Sequence, residues 1–315
     1  MYLRKFVAAV VAVALSFTGA LAQTPDSDTK SELVKKYSDR YRLLVSKLGP
    51  SGVGIETVLD GWAAVDSSDV DLLQARFSYY FAKSQSSEVV MKEQKKYLGA
   101  DPIVSLKDSL GNDVFYFQEI NYNDALYGKA VRYLDQAIRL NPERLDLRFI
   151  KAASLMAYEK QSPDMALDFM IKLVDENYSE KVDWVYPDVE VNSEFFDSAV
   201  QQYCYNFYNT GTADSFAAFR ALSEKMLEYQ PDNTIFLSNI GSYYLVAEED
   251  FKTALKYYNK VLKIKPDDYA AIKNCVIIAR KQKNVKLEKK YLPMMVKYGT
   301  DADKLTAEAR LKSFD

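Results

Sequence analysis

Apolar residues recur at helical spacing along most of the chain, and proline stops the pattern at regular places. The segments AVRYLDQAIRLNP (130–142), AFRALSEKMLEYQP (218–231) and ALKYYNKVLKIKP (254–266) each open on a small residue and end at proline. Apolar side chains fall every three or four positions between, which predicts a helix. Proline lacks the amide hydrogen and disfavours helix in the residue before it, so each helix should stop sharply. Pro231 and Pro266 stand 35 residues apart. A small–large–medium trio marks this helix: Ala130/Leu134/Ala137, Ala166/Met170/Leu173, Ala254/Tyr258/Val261 and a weaker Leu287/Tyr291/Met294. Ahead of it, a second helix carries apolar quartets at i, i+3, i+4 and i+7. These are Phe149/Ala152/Ala153/Met156, Val200/Tyr203/Cys204/Phe207, Leu237/Ile240/Gly241/Tyr244 and Ile272/Cys275/Val276/Ala279. The third member is small in most of them, as close helix–helix approach requires.

The two-helix period resembles the tetratricopeptide repeat, whose pattern is W-x2-L-G-x2-Y, then A-x3-F and a closing P over 34 residues. Residues 234–266 carry the best copy, with Leu237, Ile240, Gly241, Tyr244, Ala254, Tyr258 and Pro266 in corresponding places and one extra residue in the turn Ala247–Asp250. The resemblance, to an exported bacterial type, covers about residues 124–300 and is degenerate at 195–231, where Ala218 and Leu222 fall half a step off. It implies an all-α, right-handed helical-repeat solenoid. The interval from Ala166 to Ala218 is too long for one repeat, and its surplus matches YSEKVDWVYPDVEVNSEF at 178–195, an ordered inserted loop.

Outside the repeats, residues 23–123 read as an N-terminal cap region. It holds amphipathic helices at 31–48, 55–65 and 69–84, then a small β-hairpin near 102–122 around Gly111-Asn112. Residues 301–315 read as a C-terminal capping helix, with the helix itself at Ala302–Phe314. Residues 1–22 predict a cleaved export signal: Arg4 and Lys5 precede a 12-residue apolar run, and Ala20-Leu21-Ala22 supplies a cleavage site before Gln23. No cysteine follows that site, so no lipid anchor is expected, and the mature chain is expected in the periplasm of a Gram-negative bacterium or secreted.

Composition removes most catalytic readings. The chain has 315 residues and no histidine, which excludes histidine-based triads, histidine-ligated zinc and the commonest general base near neutral pH. Its 2 cysteines cannot build a four-cysteine zinc site. Gly52-Val53-Gly54 has no preceding strand and reads as a turn between helices. Asp66, Asp69 and Asp71 lack the glycine and closing glutamate of a calcium loop, and Asp69 reads as a helix cap. Glu248-Glu249-Asp250 lies in a turn, where acids support the next helix N-terminus. No catalytic residue, metal or cofactor is predicted.

In the tetratricopeptide fold the first helix of each pair lines a concave surface. Registered on the quartets, the residues facing it are Ile150 and Ser154, Gln201 and Tyr205, Ser238 and Ser242, and Lys273 and Ile277. Tyr208 and Arg280 follow one turn on. The candidate peptide-binding residues are thus Gln201, Tyr205, Tyr208, Ser238, Ser242, Lys273 and Arg280, a mixture suited to an extended peptide with apolar anchoring and one anionic contact. Ser238 and Ser242 stand where the carboxylate-clamp subtype carries its gripping residues, so that clamp is not implied. Charge is uneven: residues 251–315 hold 16 Lys/Arg against 7 Asp/Glu within a chain of net charge −3. In an exported protein that basic end suits an anionic envelope partner (lipid phosphate, an acidic protein or the acidic body of another copy) rather than nucleic acid.

The leading expectation is a non-enzymatic scaffold that binds a protein or peptide in the periplasm. A glycan-binding envelope protein and a carboxylate-based enzyme are the alternatives. Cys204 and Cys275 fall on first helices with one whole repeat between them, too far for a disulfide, and should be buried thiols.

Overall fold

The computed structural model describes residues 25–314, with side chains from residue 29, so the export segment expected at 1–22 lies outside the described residues. The fold is all-α and built of helices in series, with one small sheet. It divides into two compact units. One holds the described residues up to Lys160 with Glu180–Ser193; the other holds Gln161–Ser179 with the described residues from Glu194 on.

The first unit opens with α1 (Pro25–Leu48), α2 (Ile55–Val65) and α3 (Val70–Ser84). Helix α1 starts six residues before the predicted position and ends at Gly49, whose φ of +81° is a left-handed stop that glycine tolerates. Asp69 caps α3, accepting from the amides of Asp71 and Leu72. The three helices bury Ile55, Leu59, Trp62, Leu72, Leu73 and Phe77 in one core. Helix α4 (Asp124–Leu140) closes that core with the predicted trio Ala130, Leu134 and Ala137, all fully buried. At its rim the Glu56 carboxylate accepts from Tyr80 (2.6 Å), Tyr79 (3.0 Å) and Lys83 (3.1 Å). The Tyr80 hydrogen bond contributes most to holding Glu56 down at about 2.

Between α3 and α4 the hairpin is present, as β2 (Val104–Lys107) and β3 (Asp113–Tyr122), but it belongs to a larger sheet. A third strand, β1 (Gln85–Lys92), pairs antiparallel along β3, giving the order β1-β3-β2. The sequence QSSEVVMK opens on polar residues directly after a helix, so nothing local marks it as a strand; its partner residues lie 23 or more positions along the chain.

Helix α5 (Leu145–Glu159) corrects the repeat register at its first copy. Leu145, Leu147, Ile150, Ala152, Ser154 and Leu155 are buried there, so Ile150 and Ser154 are core residues and face no groove. Leu147 and Ile150 are buried in the core of α2–α4, and that burial sets the rotation of the helix. Of the insertion expected at 178–195, the first residues close a short helical turn (Glu176–Glu180) and the last begin a helix at Ser193; the irregular stretch between them is pinned to the start of α5. The Leu145 amide donates to the Val185 carbonyl (3.0 Å), and the Val185 amide donates to that of Glu143 (2.9 Å). The Arg148 guanidinium lies 5.8 Å from the Trp184 ring.

The second unit holds α6 (Asp164–Asp175), α7 (Ser193–Thr210), α8 (Ala213–Tyr229), α9 (Thr234–Val246), α10 (Phe251–Ile264), α11 (Tyr269–Lys281), α12 (Val285–Tyr298) and α13 (Asp301–Lys312). From α7 to α12 they form three successive helix pairs. Each helix from α8 to α13 starts at a short polar side chain, Thr212, Asn233, Asp250, Asp268, Asn284 and Thr300, that accepts an amide of the helix it caps. The quartets of α7 and α11 are buried throughout, and in α9 only Tyr244 is half-exposed. In α12 Tyr291 of the weaker trio is buried, whereas Leu287 and Met294 are half-buried and their neighbours Glu288 and Met295 are buried instead, Glu288 receiving Arg310 of α13. Ala307 of α13 packs into the same core as α12.

Cys204 and Cys275 are free and buried, and burial pushes both thiols up to about 12. Tyr41 is likewise raised by burial to about 12, and Tyr258 is raised for the same reason. Each of these groups keeps its proton longer folded than unfolded. Their contribution is therefore complete below about pH 9 and is lost as pH rises toward 12, because the unfolded chain ionises first. Melting temperature should fall across that window, with late phenolate absorbance appearing together with loss of helical circular dichroism. A smooth titration of every tyrosine with helicity intact would refute this.

Candidate functional site

The first helices of the three pairs, α7, α9 and α11, line a cavity of about 490 Å³. Helix α7 contributes Gln201, Tyr205 and Tyr208; α9 contributes Asn239, Ser242, Leu245 and Val246; α11 contributes Asn274, Ile277 and Lys281. Phe219 of α8 forms part of the floor. Four of the seven candidate residues, Gln201, Tyr205, Tyr208 and Ser242, thus meet in one concavity, together with Ile277, also expected to face it.

The floor is polar but satisfied. Gln201 and Asn239 exchange amide hydrogen bonds, with Asn239 donating at 2.7 Å and Gln201 at 3.2 Å. Asn239 also donates to the Ser223 hydroxyl at 3.1 Å. Ser242 shares a 3.0 Å hydrogen bond with the buried Tyr258 hydroxyl, which ties the groove to the repeat core. Asn239 uses both amide hydrogens in this way, and Gln201, oriented by it, keeps one hydrogen and one carbonyl lone pair to offer a peptide backbone. Apolar surface comes from Tyr205, 51 % exposed, and Ile277, 37 % exposed. Tyr208 is different: its ring packs edge-on against Phe216 and Phe219, and burial raises its hydroxyl. At one end Lys281 supplies a positive charge, 3.6 Å from Glu249 and 5.7 Å from the Phe251 ring.

Three predicted residues do not line this cavity. Ser238 is half-buried beside it. Lys273 turns away to Asp303 of α13 at 3.6 Å. Arg280 lies 3.8 Å from Glu288 of α12 and lines a separate cavity of about 330 Å³ with Lys283, Val285 and Arg310. The cause is helix rotation. In α11 the groove takes the second, fifth and ninth positions past the quartet start, which span about 60° on a 3.6-residue helix. Lys273 and Arg280, at the first and eighth positions, fall about 40–60° outside that arc and meet the following helices instead. The same rotation brings in Asn239, Asn274 and Lys281, which the sequence register missed. Their signal was the quartet itself, read one position too early.

Antiparallel helix pairs with a groove on their first helices define a helical-repeat protein. The family model of the tetratricopeptide repeat matches residues 236–268, so this chain carries a tetratricopeptide repeat, at the copy where α9 and α10 meet. That repeat is a protein-interaction module, and its presence makes the chain a candidate scaffold for protein partners. A comparison with the curated proteins finds no match.

Proposed function

We propose that this protein is a non-enzymatic scaffold that binds a protein or peptide in the groove of α7, α9 and α11. The observation that carries the reading is the alignment of exposed Tyr205 and Ile277 with the Gln201–Asn239 amide pair in one open concavity. Apolar anchors beside oriented amides suit an extended segment, and Lys281 at the end favours one acidic group on it. The proposal places the protein outside the cytoplasm, on the strength of residues 1–22 alone, and assigns the basic C-terminal end to an anionic partner in the envelope.

Affinity capture with the full mature chain from envelope extract tests the groove. Tyr205→Ala should lower recovery of the specific partner by about tenfold, as for an exposed aromatic anchor, with melting temperature unchanged. Tyr208→Ala is the less discriminating variant, because its contacts with Phe216 and Phe219 make it lower stability as well. Equal recovery by wild type, Tyr205→Ala and Ile277→Ala would exclude this groove. The intact mass of the same native preparation should correspond to a chain that begins at Gln23; a retained Met1 would count against export.

A further inference from the structure

The basic end resolves into one continuous face. Helix α10 exposes Lys252, Lys256, Lys260 and Lys263, which fall within about 80° of one another on a 3.6-residue helix. Helix α12 exposes Lys286, Lys289, Lys290 and Lys297. The two helices lie side by side: Lys290 donates to the Asn259 side chain at 3.3 Å, and the Tyr291 hydroxyl donates to the same oxygen at 2.8 Å. Helix α10 contains no acidic residue, and the one in α12, Glu288, is buried and bound to Arg310. Asp250 caps α10, and Glu224 of α8 is held by Arg220. Ion pairs in this part of the chain use Lys265, Lys273, Arg280, Lys281, Lys304 and Arg310, and none of the eight face lysines among the described residues.

We infer that the α10–α12 face docks the protein on an anionic lipid surface. This deepens the assignment of the basic end to an anionic partner, and it does not depend on the peptide groove. Two features select lipid over a folded acidic partner. The eight cations of the face are lysines, hydrated point charges on flexible stems, and the adjoining Arg310 already commits its fork to Glu288, so no arginine among the described residues of the face is left to read a partner's carboxylate in a defined geometry. Aromatic rings also lie beneath the ammonium groups: Lys260 is 5.2 Å from the Tyr257 ring, Lys289 5.4 Å from Phe314 and Lys297 4.8 Å from Tyr298. Rings capped by lysine fit a headgroup layer, which has apolar depth below its phosphates. The net charge of −3 for the whole chain means that adsorption to a negative surface requires this face to be turned toward it.

The test is sedimentation of the full mature chain with vesicles of phosphatidylglycerol mixed into phosphatidylcholine, and with phosphatidylcholine alone. Binding is expected only with the anionic lipid and should weaken steeply as salt rises to 0.15 M, where screening acts within about 8 Å. Replacing Lys252, Lys256, Lys260 and Lys263 by glutamine should reduce partitioning about fivefold for each lysine, several-hundred-fold together. The exposed lysines Lys35, Lys36, Lys47 and Lys95 of the first unit, replaced in the same way, should change it less than about twofold. Circular dichroism confirms folding, and Lys286, Lys289 and Lys297→Gln provides an independent variant of the same face. No vesicle binding at low salt, or equal loss in the first-unit control, overturns the inference. Tighter binding to polyglutamate or to duplex DNA than to vesicles overturns it too; in the polyglutamate case the broader anionic-partner reading survives.

Discussion

Replacing Tyr258 with alanine should destabilise the second unit by about 3–5 kcal/mol, the range for removing a large side chain from a closed core. Tyr258 is fully buried at the centre of the repeat. The close approach of α9 to α10 depends on it, because Gly241 presents its bare backbone to the ring. A Cβ added at Gly241 would meet three ring atoms at 2.9, 3.0 and 3.1 Å. Tyr258→Phe keeps the ring and loses only the hydrogen bond to Ser242, so about 1 kcal/mol is expected. Gly241→Ala gains about 1 kcal/mol of helix propensity but overpacks the ring, for a net loss of roughly 1 kcal/mol. The two sites should couple: Gly241→Ala ought to cost less in a Tyr258→Leu background. Urea unfolding followed by circular dichroism measures the four single variants and the Gly241→Ala/Tyr258→Leu double variant. A Tyr258→Ala cost below about 1 kcal/mol would mean that the α9–α10 interface is not the tight core described.

Trp62→Ala should have an effect of similar size in the first unit, about 3–5 kcal/mol. The indole is 1 % exposed, tilted against Tyr41 at 6.5 Å between ring centres, and its Nε1 reaches the Asp69 carboxylate at 3.4 Å. Asp69 keeps its cap on α3 without that contact, so the loss is one of packing and a cavity between α1, α2 and α3. The chain has two tryptophans, and Trp184 belongs to the same unit, so its fluorescence reports the unfolding of the variant. Trp184→Ala removes a half-buried ring over Arg148 and should cost less than about 2 kcal/mol. Equal costs for the two would move the centre of this core away from Trp62.

Much of this fold is legible locally because repeat contacts are short in sequence. The trio Ala254/Tyr258/Val261 and the quartet Ile272/Cys275/Val276/Ala279 mark buried faces within single helices, and the short polar caps and prolines mark where those helices start and stop. Such signals need no knowledge of distant partners. The first copy shows where this ends. Phe149/Ala152/Ala153/Met156 has the same periodicity as the others, yet α5 is rotated so that Ile150 and Ser154 are buried. One amphipathic helix admits neighbouring rotations, and the surface it packs against selects among them.

The groove divides in the same way. That α7, α9 and α11 would present Tyr205 and Ser242 to one side followed from the quartets, whereas Lys273 and Arg280 satisfied the spacing and still left the groove for Asp303 and Glu288. A long cationic side chain at the edge of a helical face goes to whichever carboxylate the tertiary structure brings within reach. Strand β1 gives the largest contrast, because its polar sequence becomes a strand only through the edge that β3 offers. By itself the sequence determined the helix pairs, their boundaries, the buried thiols and the basic end, all properties of local periodicity and composition. Helix rotation, the third strand, the destination of each lysine and arginine, and the union of α10 with α12 into one cationic face were decided by tertiary packing, since each depends on contacts between residues far apart in the chain.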